Sequence, residues 1–270
     1  MMIRSLWSGA TGMLAQQFNM DTIANDLANI NTAGYRARHV SFSDLIYQNL
    51  RASGIQAATE NYNPPVGMSV GLGVRVNSAT PIMTRGSFME TGVWSHMAIT
   101  DVGGQANEFF AIQMPNGTKA YTRDGHFMVD NEGVLRTMNG LKLFPSIEGI
   151  PADAKNPSVS QDGVISWTDK NGNVQQAGTR IKLYSFINPS GLESIGDNFW
   201  AETKVSGTPV EGTPSVGGFG GILGGWIETS NVTAITEMVN MIKCQRAYEM
   251  NSKSIQTSDE MLQTVNTLKR

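Results

Sequence analysis

Apolar residues recur three and four apart at Ile3, Leu6, Ala10, Met13, Met20, Ala24 and Leu27, with Gln17 the polar member of the row. Residues 3 to 30 contain no proline, so the spacing predicts an amphipathic helix there. Its other faces carry amides and small residues (Gln16, Gln17, Asn19, Asn25, Asn29), and its charges are Arg4, Asp21 and Asp26. Gly9 and Gly12 each cost such a helix about 1 kcal/mol relative to alanine. On its own it should fray. The far end has the same design. After Ser230 or Asn231, either a competent N-cap, the chain runs to Leu268 without glycine or proline. One row reads Ala234, Met238, Met241, Gln245, Tyr248, Ser252, Ile255, Asp259, Leu262. Its polar members weaken a two-stranded coil but suit a bundle with several neighbours.

Between the ends the composition changes, and glycines, turn dipeptides and β-branched or aromatic residues dominate from Gly71 to Trp226. Short runs at 126–129, 134–137 and 141–144 are separated by Asp124-Gly125, Asn131-Glu132-Gly133 and Asn139-Gly140, which is the turn chemistry of antiparallel hairpins. Residues 164–168 and 174–176 around Asn171-Gly172 form another pair. Residues 191–225 are rich in Gly, Pro, Ser and Thr and predict loops and irregular strands. The layout is therefore α+β. Helical segments at 1–36 and 230–270 pair as a coiled-coil-like unit, 37–75 is an extended linker, and 76–229 is an antiparallel β-rich domain. Spacing alone assigns each apolar row to the chain's own core. A head-to-tail contact that does not close would instead build an open filament.

Composition narrows the function classes. Charged residues make up 16% of the 270 positions, below the roughly 25% of an ordinary soluble domain. The formal net charge of -3 opposes phosphate binding, which needs clustered Lys and Arg. The single cysteine, Cys244, makes no internal disulfide. Residues 1–6 lack a basic segment leading into an apolar run, and no stretch reaches the 18 or so apolar residues of a membrane span.

Candidate chemistry is sparse. His39, His96 and His126 lie far apart and lack metal-ligand spacing. Asp124 and Asp130 flank a strand but read as turn residues. Gly71-Leu72-Gly73 and the glycines of 217–221 do not continue into Gly-Lys-Ser/Thr, as a phosphate loop would. Cys244 lies near Lys243 and Arg246 but lacks a histidine in its helix, so it reads as a packing residue, as does Trp7. No catalytic, cofactor-binding or metal-ligating residue is expected, and the chain reads as a non-enzyme.

The ends carry a resemblance. Ala10, Gly12, Met13 and Ala15, then Met20 through Arg36 (MDTIANDLANINTAGYR), closely resemble the amino-terminal signature of the bacterial flagellar basal-body rod and hook family. Glu228-Thr229-Ser230-Asn231-Val232, Glu237-Met238-Val239 and Gln245-Arg246-Ala247-Tyr248-Glu249 are similar to its carboxy-terminal signature. Ala120 to Gly125 and Ser190 to Gly196 extend the likeness to the middle. A stretch over 45–73 favours the distal-rod branch over a proximal rod or hook-type subunit. Residues 99–110 depart from the family pattern, with displaced glycines.

The resemblance implies a structural subunit of a hollow helical polymer that transmits torque from motor to hook and conducts exported subunits. The terminal helices would form its inner tube and the β-rich part would lie outside. The implied assembly interface comprises Leu6, Met13, Met20, Ile23, Leu27, Met238, Met241, Ile242, Tyr248, Ile255 and Leu262. Further copies, proximal rod proteins, the hook protein and the basal-body rings are the implied partners. Nucleic acid, membrane insertion and cofactors are not expected. The implied location is the periplasmic basal body, reached through the flagellar type III apparatus without a cleaved signal. A surface adhesin would leave the terminal helices unexplained, and a glycan-cleaving hydrolase lacks a convincing carboxylate pair.

Overall fold

A computed structural model describes residues 2–51, 67–101, 103, 106–151, 154–169 and 172–268. Long helices stand at both ends and antiparallel strands fill the middle, as the α+β reading expects. Two compact units result. One comprises Met1–Leu27, Arg38–Thr80 and Ala234–Arg270; the other comprises Ala28–Ala37 and Pro81–Thr233. Composition divides the chain at 36, 75 and 229 instead. The difference arises because the strand Arg38–Asp44 pairs with the strand Val74–Pro81, which draws the linker into the helical unit.

In that first unit, α1 spans Met2–Ala28 and α2 spans Ala234–Leu268. The helix α2 starts beyond both expected N-caps because their side chains are engaged elsewhere. The Ser230 hydroxyl accepts from the Val232 N–H (3.2 Å), and Asn231 Oδ1 accepts from the Ala37 N–H (2.7 Å). The Asn231 amide also donates to the Ile82 carbonyl (2.9 Å). The paired strands hold a Ser41 to Ser78 hydroxyl contact of 2.8 Å. A second ribbon joins Tyr47–Arg51 to Met68–Gly71. Much of the 45–73 stretch, with Pro64 and Pro65, lies outside the described residues, as do parts of 99–110 and Asn171.

The second unit is built on a nine-stranded antiparallel sheet. Its central strand, Glu108–Gln113, pairs with Lys119–Thr122, Lys142–Phe144 and Leu183–Ser185. This strand reads EFFAIQ, and the continuous apolar run at 109–112 is the pattern of a strand covered on both faces. Phe110 packs with Phe127, Leu135, Leu143 and Leu183 on one side. Phe109 and Ala111 pack with Tyr121, Tyr184, Phe186 and Trp200 on the other. Edge-to-face rings lock both layers: Phe110 to Phe127 at 5.3 Å and Tyr121 to Phe186 at 4.8 Å between centroids.

The expected hairpins form. Phe127–Val129, Leu135–Thr137 and Lys142–Phe144 are consecutive antiparallel neighbours, and Ile165–Thr168 pairs with Val174–Gln176. The Gly-rich tract also contributes strands: Phe199–Ala201 joins the main sheet and Gly221–Gly224 pairs with Met97–Thr100. Asp124 and Asp130 do sit in turns. Asp124 Oδ1 accepts from the His126 N–H (3.1 Å), and Asp130 Oδ1 from the Asn131 N–H (2.7 Å).

Candidate functional site

The helix pair is joined along small and polar residues rather than along the large apolar rows. The Ser5 and Ser258 hydroxyls meet at 3.0 Å, and the Cys244 thiol donates to the Gln16 carbonyl at 2.9 Å. A Cβ added at Gly9 would lie 2.9 Å from Ile255 Cγ1, and one at Gly12 would lie 2.8 Å from Asn251 Nδ2. Both distances are too short for a real side chain. The glycines that weaken α1 in isolation are thus the slots that let α2 approach. Burial pushes the Cys244 thiol pKa up, as suits a packed sulfur.

This seam places the expected interface residues in three groups. Ile23 is buried, and Ile255 packs at Gly9 within the same chain. Leu6, Met13, Met20, Leu27, Met241 and Leu262 are half-buried at its margins. Met238, Ile242 and Tyr248 are exposed. At about 100° per residue, the contacting residues of α1 (Ser5, Gly9, Gly12, Gln16) lie opposite a second apolar stripe. It consists of Trp7, Leu14 and Phe18, which are 61%, 67% and 43% exposed. Trp7 is therefore not packed within the chain. On α2, the face opposite Cys244, Asn251, Ile255 and Ser258 carries Ile235, Val239 and Ile242, exposed by 75%, 45% and 57%. Each helix shows one face to its partner and an uncovered apolar face on its other side.

A buried charge cluster in the second unit went unread in the sequence. Glu228, in the strand Trp226–Glu228, accepts through Oε1 from Arg36 Nη2 (2.8 Å) and the Gly86 N–H (2.8 Å). Its Oε2 accepts from Arg123 Nη1 (2.9 Å). Arg123 is also bidentate on Asp101 and donates from Nε to the Glu108 carbonyl (2.6 Å). The Glu108 carboxylate accepts from the Gly220 N–H (2.9 Å). All five charged side chains are buried. Burial pushes the Asp101 and Glu108 carboxyls up and the Arg36 guanidinium down, while Arg123 opposes the rise at Asp101. Gly34 completes the enclosure. Its φ is +68°, and a Cβ there would lie 2.7 Å from the Arg123 carbonyl carbon.

Two histidines that lie far apart in sequence also meet. The His96 and His126 rings pack edge-on at 4.9 Å, and His126 Nδ1 lies 2.6 Å from Asp124 Oδ1. The hydrogen bond to Asp124 holds the His126 pKa above its ordinary value, whereas burial, then the neighbouring ring, holds His96 below. Protonated His126 therefore stabilises the fold below pH about 6.5, and this support is lost as pH rises through its raised pKa. For His96 the sign is reversed, and a cost appears as pH falls below about 6.5. An NMR titration of the ring protons should show His126 binding its proton first. The opposite order would rule out this arrangement. Among the described residues, no group of three or more His, Cys, Asp or Glu side chains could hold a metal ion, and no helix is long and apolar enough to cross a membrane.

Comparison with known proteins places this architecture. Residues 6–36 match the flagella basal body rod protein family, residues 105–167 the flagellar hook protein FlgE/F/G D1 domain, and residues 223–268 the flagellar basal body rod FlgEFG protein C-terminal family. The chain is 43% identical over 267 residues to the flagellar basal-body rod protein FlgG of Buchnera aphidicola, covering 99% of this chain and 100% of that one. It is 42% identical to the FlgG of Borreliella burgdorferi over 270 residues and 37% identical to that of Bacillus subtilis over 273, with 100% of both chains covered in each case. Since the likeness spans the whole chain and includes both helices and the Arg36, Arg123 and Glu228 segments, the chain belongs to the flagellar basal-body rod protein family.

Proposed function

We propose that this chain is a structural subunit of the distal part of the flagellar rod, polymerising through the outward faces of α1 and α2 into a hollow helical tube. Copies of the chain cover the stripes of Trp7, Leu14 and Phe18 and of Ile235, Val239 and Ile242, and the helices line the channel. The tube transmits torque from motor to hook and conducts exported subunits. It lies in the periplasmic basal body, which its subunits reach through the flagellar type III apparatus, and it meets proximal rod proteins, the hook protein and the surrounding rings. Its work is mechanical rather than catalytic.

The single observation that carries this reading is the pair of exposed apolar stripes, in a chain whose relatives are rod proteins along their full length. A surface of that kind attracts a partner, and an interface that does not close on itself makes a filament. Electron microscopy of the purified, concentrated protein should show straight hollow rods. Monomers or closed rings at every concentration would overturn the proposal.

A further inference from the structure

The two arginines of the buried cluster are held unequally. Arg123 uses every nitrogen of its guanidinium: Nη1 and Nη2 on Asp101, Nη1 on Glu228, and Nε on the Glu108 carbonyl. Arg36 has one strong contact, Nη2 on Glu228, and a weak one from Nη1 to the neighbouring Tyr35 carbonyl at 3.4 Å. Its Nε is buried without a hydrogen-bond partner. Such an orphan donor raises the cost of keeping a guanidinium out of water, and burial already pulls the Arg36 pKa down. Departure of Arg36 also strands nothing. Glu228 would keep Arg123 and the Gly86 N–H, so no carboxylate is left bare. Departure of Arg123 would strand Asp101 and leave the Glu108 carbonyl without this donor.

Apart from the Ala33 carbonyl, which accepts a side-chain bond from Asn198 Nδ2 in a turn of the main sheet, the segment is held from outside that sheet. Its Gly34 N–H donates to the Glu228 carbonyl (2.8 Å), and its Ala37 N–H donates to Asn231 Oδ1 (2.7 Å). Neither bond belongs to the ladders around Glu108–Gln113. We propose that residues 33–37 form a strap that can lift from the rest of their unit while the sheet stays folded, with Arg36 as the fastening that lets go first. The strap joins α1 to the strand Arg38–Asp44 in sequence, so its opening frees backbone at that point without breaking a ladder. This is a local opening of the kind in which one segment exchanges below the global unfolding energy. It is a property of the single chain and does not depend on polymerisation.

Amide hydrogen exchange on the dilute full-length monomer tests the strap. In the parent protein, Gly34 and Ala37 should exchange at least tenfold faster than the ladder amides of Glu108–Gln113 and Leu183–Ser185. Arg36→Met should speed Gly34 and Ala37 a further tenfold or more and leave the ladder unchanged. Glu228→Gln, which weakens both arginine contacts, should add Gly86 to the fast set. Equal exchange of strap and ladder in the parent would overturn the proposal, even if no variant folded. So would a uniform rise across the unit in Arg36→Met, since the arginine would then be part of one global core.

Discussion

Arg123→Met should be the most damaging single substitution in the second unit. It removes the guanidinium that neutralises Asp101 and shares Glu228, leaving two buried carboxylates poorly paired. Breaking a buried ion pair from one side typically costs about 3–5 kcal/mol, out of a total stability of about 5–15 kcal/mol for a domain. Methionine keeps much of the apolar stem, so the loss reports charge and hydrogen bonding rather than a cavity. Denaturant unfolding of the full-length protein should show a midpoint falling by a third or more. Arg36→Met, at the loosely held corner of the cluster, should cost clearly less. A loss below about 1 kcal/mol for Arg123→Met would mean that the cluster contributes little to the fold.

The second large effect concerns assembly and should leave the monomer alone. Leu14 and Ile242 are mostly exposed and face away from the seam between α1 and α2. Changing both to Asp should alter monomer stability by only about 0.5 kcal/mol per site. In a polymer that covers these stripes, each substitution forfeits burial worth about 1.5–3 kcal/mol and adds a charge that costs several kcal/mol to desolvate. Because every copy repeats the penalty, rods should disappear at concentrations where the parent protein forms them. Thermal melting in dilute solution should match the parent. Normal rods from the double variant would show that these stripes are not interfaces, whereas a collapsed melt would show that they belong to the chain's own core.

The helices were legible because a three-and-four spacing and the absence of proline leave few alternatives over thirty residues. The hairpins were legible because Asn131-Glu132-Gly133 and Asn139-Gly140 specify turns, whereas Asp124-Gly125 joins two strands that do not pair with each other. The phase of the helix seam was not. Large side chains attract attention, so the reading followed Leu6, Met13 and Met238. The actual contact uses Gly9, Gly12, Asn251 and Cys244, where small volume permits close approach. Ile255 fell on both readings because it is the large residue that fills the space above a glycine.

The charge cluster was invisible for a different reason. Arg36, Arg123 and Glu228 all stand in the segments that carried the family resemblance, but separations of up to 192 residues give no local pattern. Each on its own looks like a surface charge. Asp101 lay in the stretch that departs from the family pattern, where a buried partner was least expected. The two histidines show the same limit: thirty residues apart in the chain, they meet because the Met97 N–H donates to the Gly125 carbonyl (3.0 Å), which brings their neighbouring backbones together.

The seam of α1 and α2 also bears on the medium in which the helices must hold together. Its named contacts are hydroxyl to hydroxyl, thiol to carbonyl, and glycine to an amide or an isoleucine, none of them ionic. Dissolved salt screens attraction between exposed charges, largely so beyond a Debye length of about 8–10 Å at ordinary ionic strength, and among these contacts it has no ion pair to weaken. These contacts should therefore hold alike in dilute fresh water and in brine.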